Sequence, residues 1–210
     1  MRIVFKTGGI RLKIYIDNQI LEFQNSRENV AEILIAIEDT INKTSDTIKS
    51  MDIDGEEIFS GYDNYLLDHI NQIEEVKINL ISYQELVNDT LDTALEYLEN
   101  APDLVGKLAD DFYKQPDDTS WATLADLLGG LDWIINMNQA VKAEAKLEEV
   151  ARKKTGWVEY SDIVSEFDDI IGDFEEAILT KDTVMIADVL SYEIKTRYAD
   201  MAKQLKPSLD

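Results

Sequence analysis

Eight apolar residues between Ile163 and Ile178 recur at steps of one, three and four, and this pattern constrains the chain more than any other. Ile163, Val164, Phe167, Ile170, Ile171, Phe174, Ala177 and Ile178 fall on one stripe of a helix. Asp162, Glu166, Asp168, Asp169, Asp173, Glu175 and Glu176 make the opposite face acidic. After Thr180-Lys181-Asp182 a second helix is expected, with Asp182 as its N-cap and Ala187, Leu190, Ile194, Met201 and Leu205 on its inner side. So short a connection makes the two helices antiparallel. Neither stripe is buried by the pair alone, so other helices must pack against it.

Those helices are legible upstream. Leu86, Val87, Thr90, Leu91, Ala94, Leu95 and Leu98 make one stripe, which the spacing predicts to be interrupted at Asn100-Ala101-Pro102. A shorter segment with Val105, Leu108 and Phe112 runs to Gln115-Pro116. Asp118 or Thr119 is expected to cap a long helix reaching about Arg152, its inner face carrying Trp121, Leu124, Leu127, Leu128, Leu131, Ile134, Ile135 and Val141. Gly129-Gly130 in its middle implies a kink or a close helix approach, since each glycine costs about 1 kcal/mol against alanine there.

The first part of the chain follows another period. Ile10, Leu12, Ile14 and Ile16 alternate with Arg11, Lys13 and Tyr15 as in a half-buried strand, and Asp17-Asn18 turns it into a second strand through Leu21 and Phe23. Arg2 to Lys6 adds a further candidate strand before Gly8-Gly9. Ser26 is expected to cap a helix with Val30, Ile33, Leu34, Ile37 and Ile41 on one side. A strand from Thr47 to Ile53 closes at Asp54-Gly55, a short helical piece spans Tyr62 to Ile70, and Val76 to Ile81 forms a last strand. This order of hairpin, helix, strand, short helix and strand resembles the β-grasp fold of ubiquitin-like proteins. The expected fold is therefore α+β: a β-grasp-like domain over 1–82, then an antiparallel, mainly four-helix bundle over 83–210.

Charge narrows the partners. The formal net charge is −23, with eight Lys/Arg against fifteen Asp/Glu in residues 1–82 and twelve against 28 in residues 83–210. Such a surface repels phosphate backbones and anionic lipid, so neither nucleic acid nor a membrane surface is an expected partner. A basic partner is the specific reading of the charge, and plain solubility the general one. The Arg152-Lys153-Lys154 run complements a helix C-terminus or forms a small basic patch. Ile33 to Ile37 is far shorter than the ~18–20 apolar residues of a membrane span, and the N-terminus lacks a secretory pattern, so a cytoplasmic location is expected. The absence of cysteine removes disulfides and thiolate chemistry.

Catalytic residues are scarce. His69 is the lone histidine, near Asp63 and Asp68, with no nucleophile elbow around any serine. No Glu-x-x-His pair of the di-iron kind occurs on the helices. Asp162, Glu166 and Asp169 share one helix face and are the candidate carboxylates for a magnesium or calcium ion, but that face points away from the apolar stripe. Asp52-Ile53-Asp54-Gly55-Glu56 has its glycine too early for a calcium loop and is expected to be a turn. Gly8-Gly9 fits no nucleotide-binding fingerprint, and no cofactor is implied.

Aromatic residues carry the remaining functional signal. Trp121, Trp133, Trp157, Tyr160 and Tyr192 are the candidate partner-binding residues; Trp133 and Tyr192 fall off the stripes of their helices. The same residues serve equally as core filling or a homodimer seam. Small size, acidity, helicity and the lack of catalytic residues make the helical part similar to the helical chaperones of bacterial flagellar and secretion systems. The final helix, reading Ile186-Ala187-Asp188-Val189-Leu190-Ser191-Tyr192-Glu193-Ile194, resembles that of an uncharacterised family of Gram-positive bacteria. The chaperone resemblance implies a non-enzymatic chaperone or adaptor for a flagellar or secretion client, and the expected partner is another protein with a basic or amphipathic helical segment. A self-associating structural oligomer and a carboxylate-metal enzyme are the alternatives.

Overall fold

The computed structural model describes residues 11–206; the candidate strand Arg2 to Lys6 and the Gly8-Gly9 turn lie outside them. The chain is mixed α+β and divides into two compact units, Met1–Glu85 and Leu86–Asp210.

The first unit is a five-stranded sheet with helices. Strands β1 (Arg11–Ile16) and β2 (Gln19–Gln24) pair antiparallel, with Ile14 opposite Leu21. The reversal passes through Asp17 at φ 50°, a left-handed conformation that aspartate tolerates better than most residues. A single 3-10 turn, Arg27–Asn29, leads into α1 (Val30–Ile41); Ser26 precedes it in extended conformation but makes no side-chain cap. Strand β3 (Asp46–Ile53) reverses through Asp54 and Gly55, both at positive φ, into the short β4 (Glu56–Ile58). Periodicity misses β4 because three residues are too few to show alternation. Helix α2 (Tyr62–His69) and strand β5 (Glu75–Ser82) complete the unit.

The sheet order is β2-β1-β5-β3-β4, with β5 parallel to β1 and antiparallel to β3. Leu12, Ile14 and Ile16 share one buried cluster with Ile33 and Ile37 of α1 and with Val76 and Ile78 of β5. The Asp54 carboxylate accepts hydrogen bonds from the backbone N–H groups of Glu74 and Glu75, at 3.1 and 2.8 Å, and so ties the β3–β4 turn to the start of β5.

The second unit is helical, and it corrects the expected boundaries. Helix α3 (Tyr83–Lys114) runs through Pro102 without a break. Proline forfeits one backbone hydrogen bond, but Leu98, Ala101 and Val105 on either side are buried, and packing along the helix outweighs that local loss. Helix α4 (Asp118–Ala143) is capped by Asp117 rather than Asp118 or Thr119: its carboxylate accepts from Ser120 N–H at 2.9 Å while the Ser120 hydroxyl accepts from the Asp117 N–H, a reciprocal capping box. The helix expected to reach Arg152 stops earlier. Glu144 is extended (φ −97°, ψ 110°), and its side chain accepts from Lys146 N–H to start the separate α5 (Ala145–Ala151).

The stripe that opened the sequence reading is likewise divided, into α6 (Trp157–Ser165) and α7 (Asp168–Thr180), with the buried Phe167 between them. Arg197 braces this break: its guanidinium pairs with Glu166 at 3.4 Å, lies 5.9 Å from the Phe167 ring centroid and bonds Glu193. Lys181 in left-handed conformation ends α7, and Asp182 caps α8 (Thr183–Asp188) by accepting from Met185 N–H, as the sequence predicts. A six-residue π turn, Val189–Ile194, carries the chain into α9 (Lys195–Leu205).

Side chains register α3 against this last stretch. Glu99 pairs with Lys206 at 2.9 Å, Gly106 faces the Lys195 ammonium, and Tyr113 donates to Asp188. Positions ascending by seven on α3 meet positions descending on α8 to α9, so the two run antiparallel. The Asp188 carboxylate, by accepting the phenol proton, pushes the Tyr113 pKa up to about 12.

Candidate functional site

Among the described residues, the helical unit has an apolar groove between α3 and α4. On α3 its residues recur at three and four: Thr93, Glu96 and Tyr97, Asn100 and Ala101, Leu104 and Val105, then Leu108. Thr123, Asp126 and Leu127 of α4 face them. The cavity is about 560 Å³, within the range of sites that accept side chains or small ligands.

Aromatic contacts at the two ends explain the opening. Near the α3–α4 turn, Phe112 and Trp121 meet edge to face, 4.9 Å between centroids. Towards the other end Tyr97 meets Trp133 edge on at 6.4 Å, and its phenol lies over Gly130, where a Cβ would come within 2.0 Å of the hydroxyl oxygen. Gly130 therefore marks a close approach of Tyr97 to α4, one of the two readings that the sequence left open. Between these contacts the floor is the buried Ala101, Val105 and Leu108. Leu104 stands on the rim, 59% exposed.

The rim is acidic. Glu96 and Asp126 face solvent on opposite walls. A second depression shares Leu104, Leu108 and Thr123 with the first and extends it towards the turn, adding Lys107, Asp111, Gln115 and Asp117. The Asp117 carboxyl sits below the usual carboxylate range, held there first by the Ser120 N–H and then by the Ser120 hydroxyl.

The five aromatic candidates separate. Trp157 and Tyr160 are 1% and 0% exposed, in ring contact 5.7 Å apart within the core, and are not available to a partner. Burial alone pushes the Tyr160 phenol well above its ordinary range. The sequence misplaced them because the α6 stripe was read from Ile163 onward, whereas the helix starts at Trp157 and adds a turn. Trp121 is half-buried and packs on the core. Trp133, 39% exposed, stands beside the groove through Tyr97, and Tyr192, 68% exposed, lies on the π turn near Tyr113. An interruption at Pro102 hides Leu104; once α3 is continuous, its spacing of four to both Asn100 and Leu108 is plain.

Asp162, Glu166 and Asp169 are exposed, and among the described residues no group of three or more His, Asp or Glu is arranged to hold a metal ion. His69 is exposed on α2, its Nδ1 3.0 Å from the Tyr65 carbonyl and its ring 4.4 Å from the Tyr65 ring.

Fold and groove thus define a two-unit α+β protein whose helical unit carries an acidic-rimmed apolar trough. Residues 89–204, more than half of the chain and including the whole groove, match the family described as a domain of unknown function, DUF8042, and the chain belongs to that family. Residues 12–82 match the family described as the TP0873 N-terminal domain. No curated protein and no solved structure matches the chain.

Proposed function

We propose that this protein is a non-enzymatic protein-interaction module, acting as a chaperone or adaptor, whose helical unit holds a segment of another protein in the α3–α4 groove. The observation that carries this reading is the groove itself: a depression between α3 and α4 floored by the buried Ala101, Val105 and Leu108, with Leu104 standing 59% exposed on its rim. A concave apolar depression with an exposed leucine at its edge and polar groups around it has the form of a docking site. The β-grasp reading of the first unit is supported by its sheet order, and the bundle reading of the second by the antiparallel pairing of α3 with α8 to α9. A cytoplasmic setting and a client from a bacterial flagellar or secretion system belong to the same proposal. Among the described residues no helix is long and apolar enough to cross a membrane.

Leu104→Asp tests the groove. Because Leu104 is largely exposed, the variant should keep the wild-type circular dichroism and melting temperature. In affinity capture from the source lysate, a companion retained by wild type should be lost from the variant. A companion captured equally by both places the interaction elsewhere, and light scattering that finds a stable dimer broken by Leu104→Asp favours the self-associating alternative.

A further inference from the structure

We infer that the occupant of the groove is a cationic amphipathic helix, lying along α3 with its apolar stripe against the exposed Leu104 and into the depression above the buried Ala101, Val105 and Leu108. This inference rests on the groove reading above and adds the chemistry of the partner. Its first ground is backbone accounting. Both walls are α-helices whose N–H and C=O groups, apart from the carbonyl that Pro102 leaves without a helical donor, are bonded within themselves, so an extended segment laid in the trough would find almost no backbone partners there. A segment that carries its own hydrogen bonds meets no such cost, which selects a helix.

Length is the second ground. From Thr93 to Asp111 the two joined depressions follow 18 residue steps of α3, about 27 Å at 1.5 Å per residue. A helix of roughly five turns covers that distance. The cavity takes side chains rather than a whole helix of ~10–12 Å diameter, so the occupant rests on the trough and inserts one apolar stripe.

Charge is the third ground. Glu96 and Asp126 flank the apolar part, and Asp111 and Asp117 flank its extension, against Lys107 as the lone cation among the lining residues. Lysine or arginine beside the apolar stripe meets these carboxylates across the rim. A second copy of this chain, at net charge −23, brings mostly like charge to the same rim.

The probe is a labelled, amidated 21-residue peptide of leucine and lysine, its leucines spaced three and four apart, titrated by fluorescence anisotropy into the full-length protein. A control peptide has every lysine replaced by glutamate. The lysine peptide should bind and the glutamate peptide should not. Leu104→Asp is the decisive variant because it adds a negative charge: attraction between a polyanion and a polycation would tighten binding, whereas loss of the groove should weaken it about tenfold. Glu96→Gln with Asp126→Asn should weaken binding severalfold, while Glu175→Gln with Glu176→Gln, the same charge removed from α7, should not. If Leu104→Asp binds as well as wild type or better, the groove reading falls. If Leu104→Asp weakens binding but the glutamate peptide binds equally, or the rim variants change nothing, the groove stands and the cationic partner is wrong. A lysine peptide that fails to bind wild type also overturns the cationic partner and leaves the groove to the capture experiment.

Discussion

Gly129 and Gly130 are neighbours on α4, yet replacing each with alanine tests a different force. At Gly129 an added Cβ meets nothing within 4 Å, so Gly129→Ala should gain about 1 kcal/mol of helix propensity. At Gly130 the same gain is opposed by a Cβ 2.0 Å from the Tyr97 oxygen; overpacking costs about 1–3 kcal/mol, so the net change should be a loss of up to about 2 kcal/mol. Urea midpoints of the two variants should therefore move in opposite directions. In a Tyr97→Ala background Gly130→Ala should turn stabilising, and if it stays destabilising the contact with Tyr97 is not the cause. The sequence announced that this glycine pair was special but not which member mattered, because that depends on a side chain more than 30 positions away.

At the scale of elements, caps and breaks decided where periodicity succeeded. Strand β1 was legible because one face is buried and the alternation is clean, and β5 because the same alternation holds from Val76 to Asn79. The end of α4 at Glu144 was not, since glutamate and the alanines on either side of it are good helix formers and none of them signals a break. Asp117 offers a test of capping. Its folded pKa lies below the unfolded value of about 3.9, so its contribution to stability is present above that value and is lost as pH falls through the folded pKa. Asp117→Asn keeps a cap-forming side chain but cannot titrate. Stability of this variant, measured by urea unfolding from neutral pH down to about pH 3, should therefore fall less steeply than wild type below about pH 4. Parallel curves would mean that the capping box does not survive in solution.

For the whole molecule, charge is the dominant long-range term. With 43 acidic and 20 basic side chains, repulsion within the folded state exceeds attraction, and salt relieves it. Raising ionic strength from about 0.01 to about 0.15 M shortens the screening length from roughly 30 to 8 Å, so the melting temperature should rise. A fall would mean that the ion pairs Glu99–Lys206 and Glu166–Arg197 outweigh the general repulsion. The two-part α+β layout could be read from the chain because its two periods, two and about 3.6, change near residue 83. The groove could not be, because it is a space between α3 and α4 rather than a property of either. Its aliphatic wall reads as ordinary core until the two helices are seen to stand apart, and aromatic content pointed instead to Trp157 and Tyr160, which are core.

The π turn at Val189–Ile194 has a further consequence, for how the length of this chain can change. An α-helix turns about 100° per residue, so losing one residue in its middle swings everything beyond it away from the core. A π turn already contains one residue more than an α turn needs, and dropping it would restore an ordinary helix while Ile186 and Tyr198 kept their inward aim. Val189–Ile194 is thus the slack in the last helix: the place where a shorter descendant of this sequence can arise by deletion without losing its register against α3.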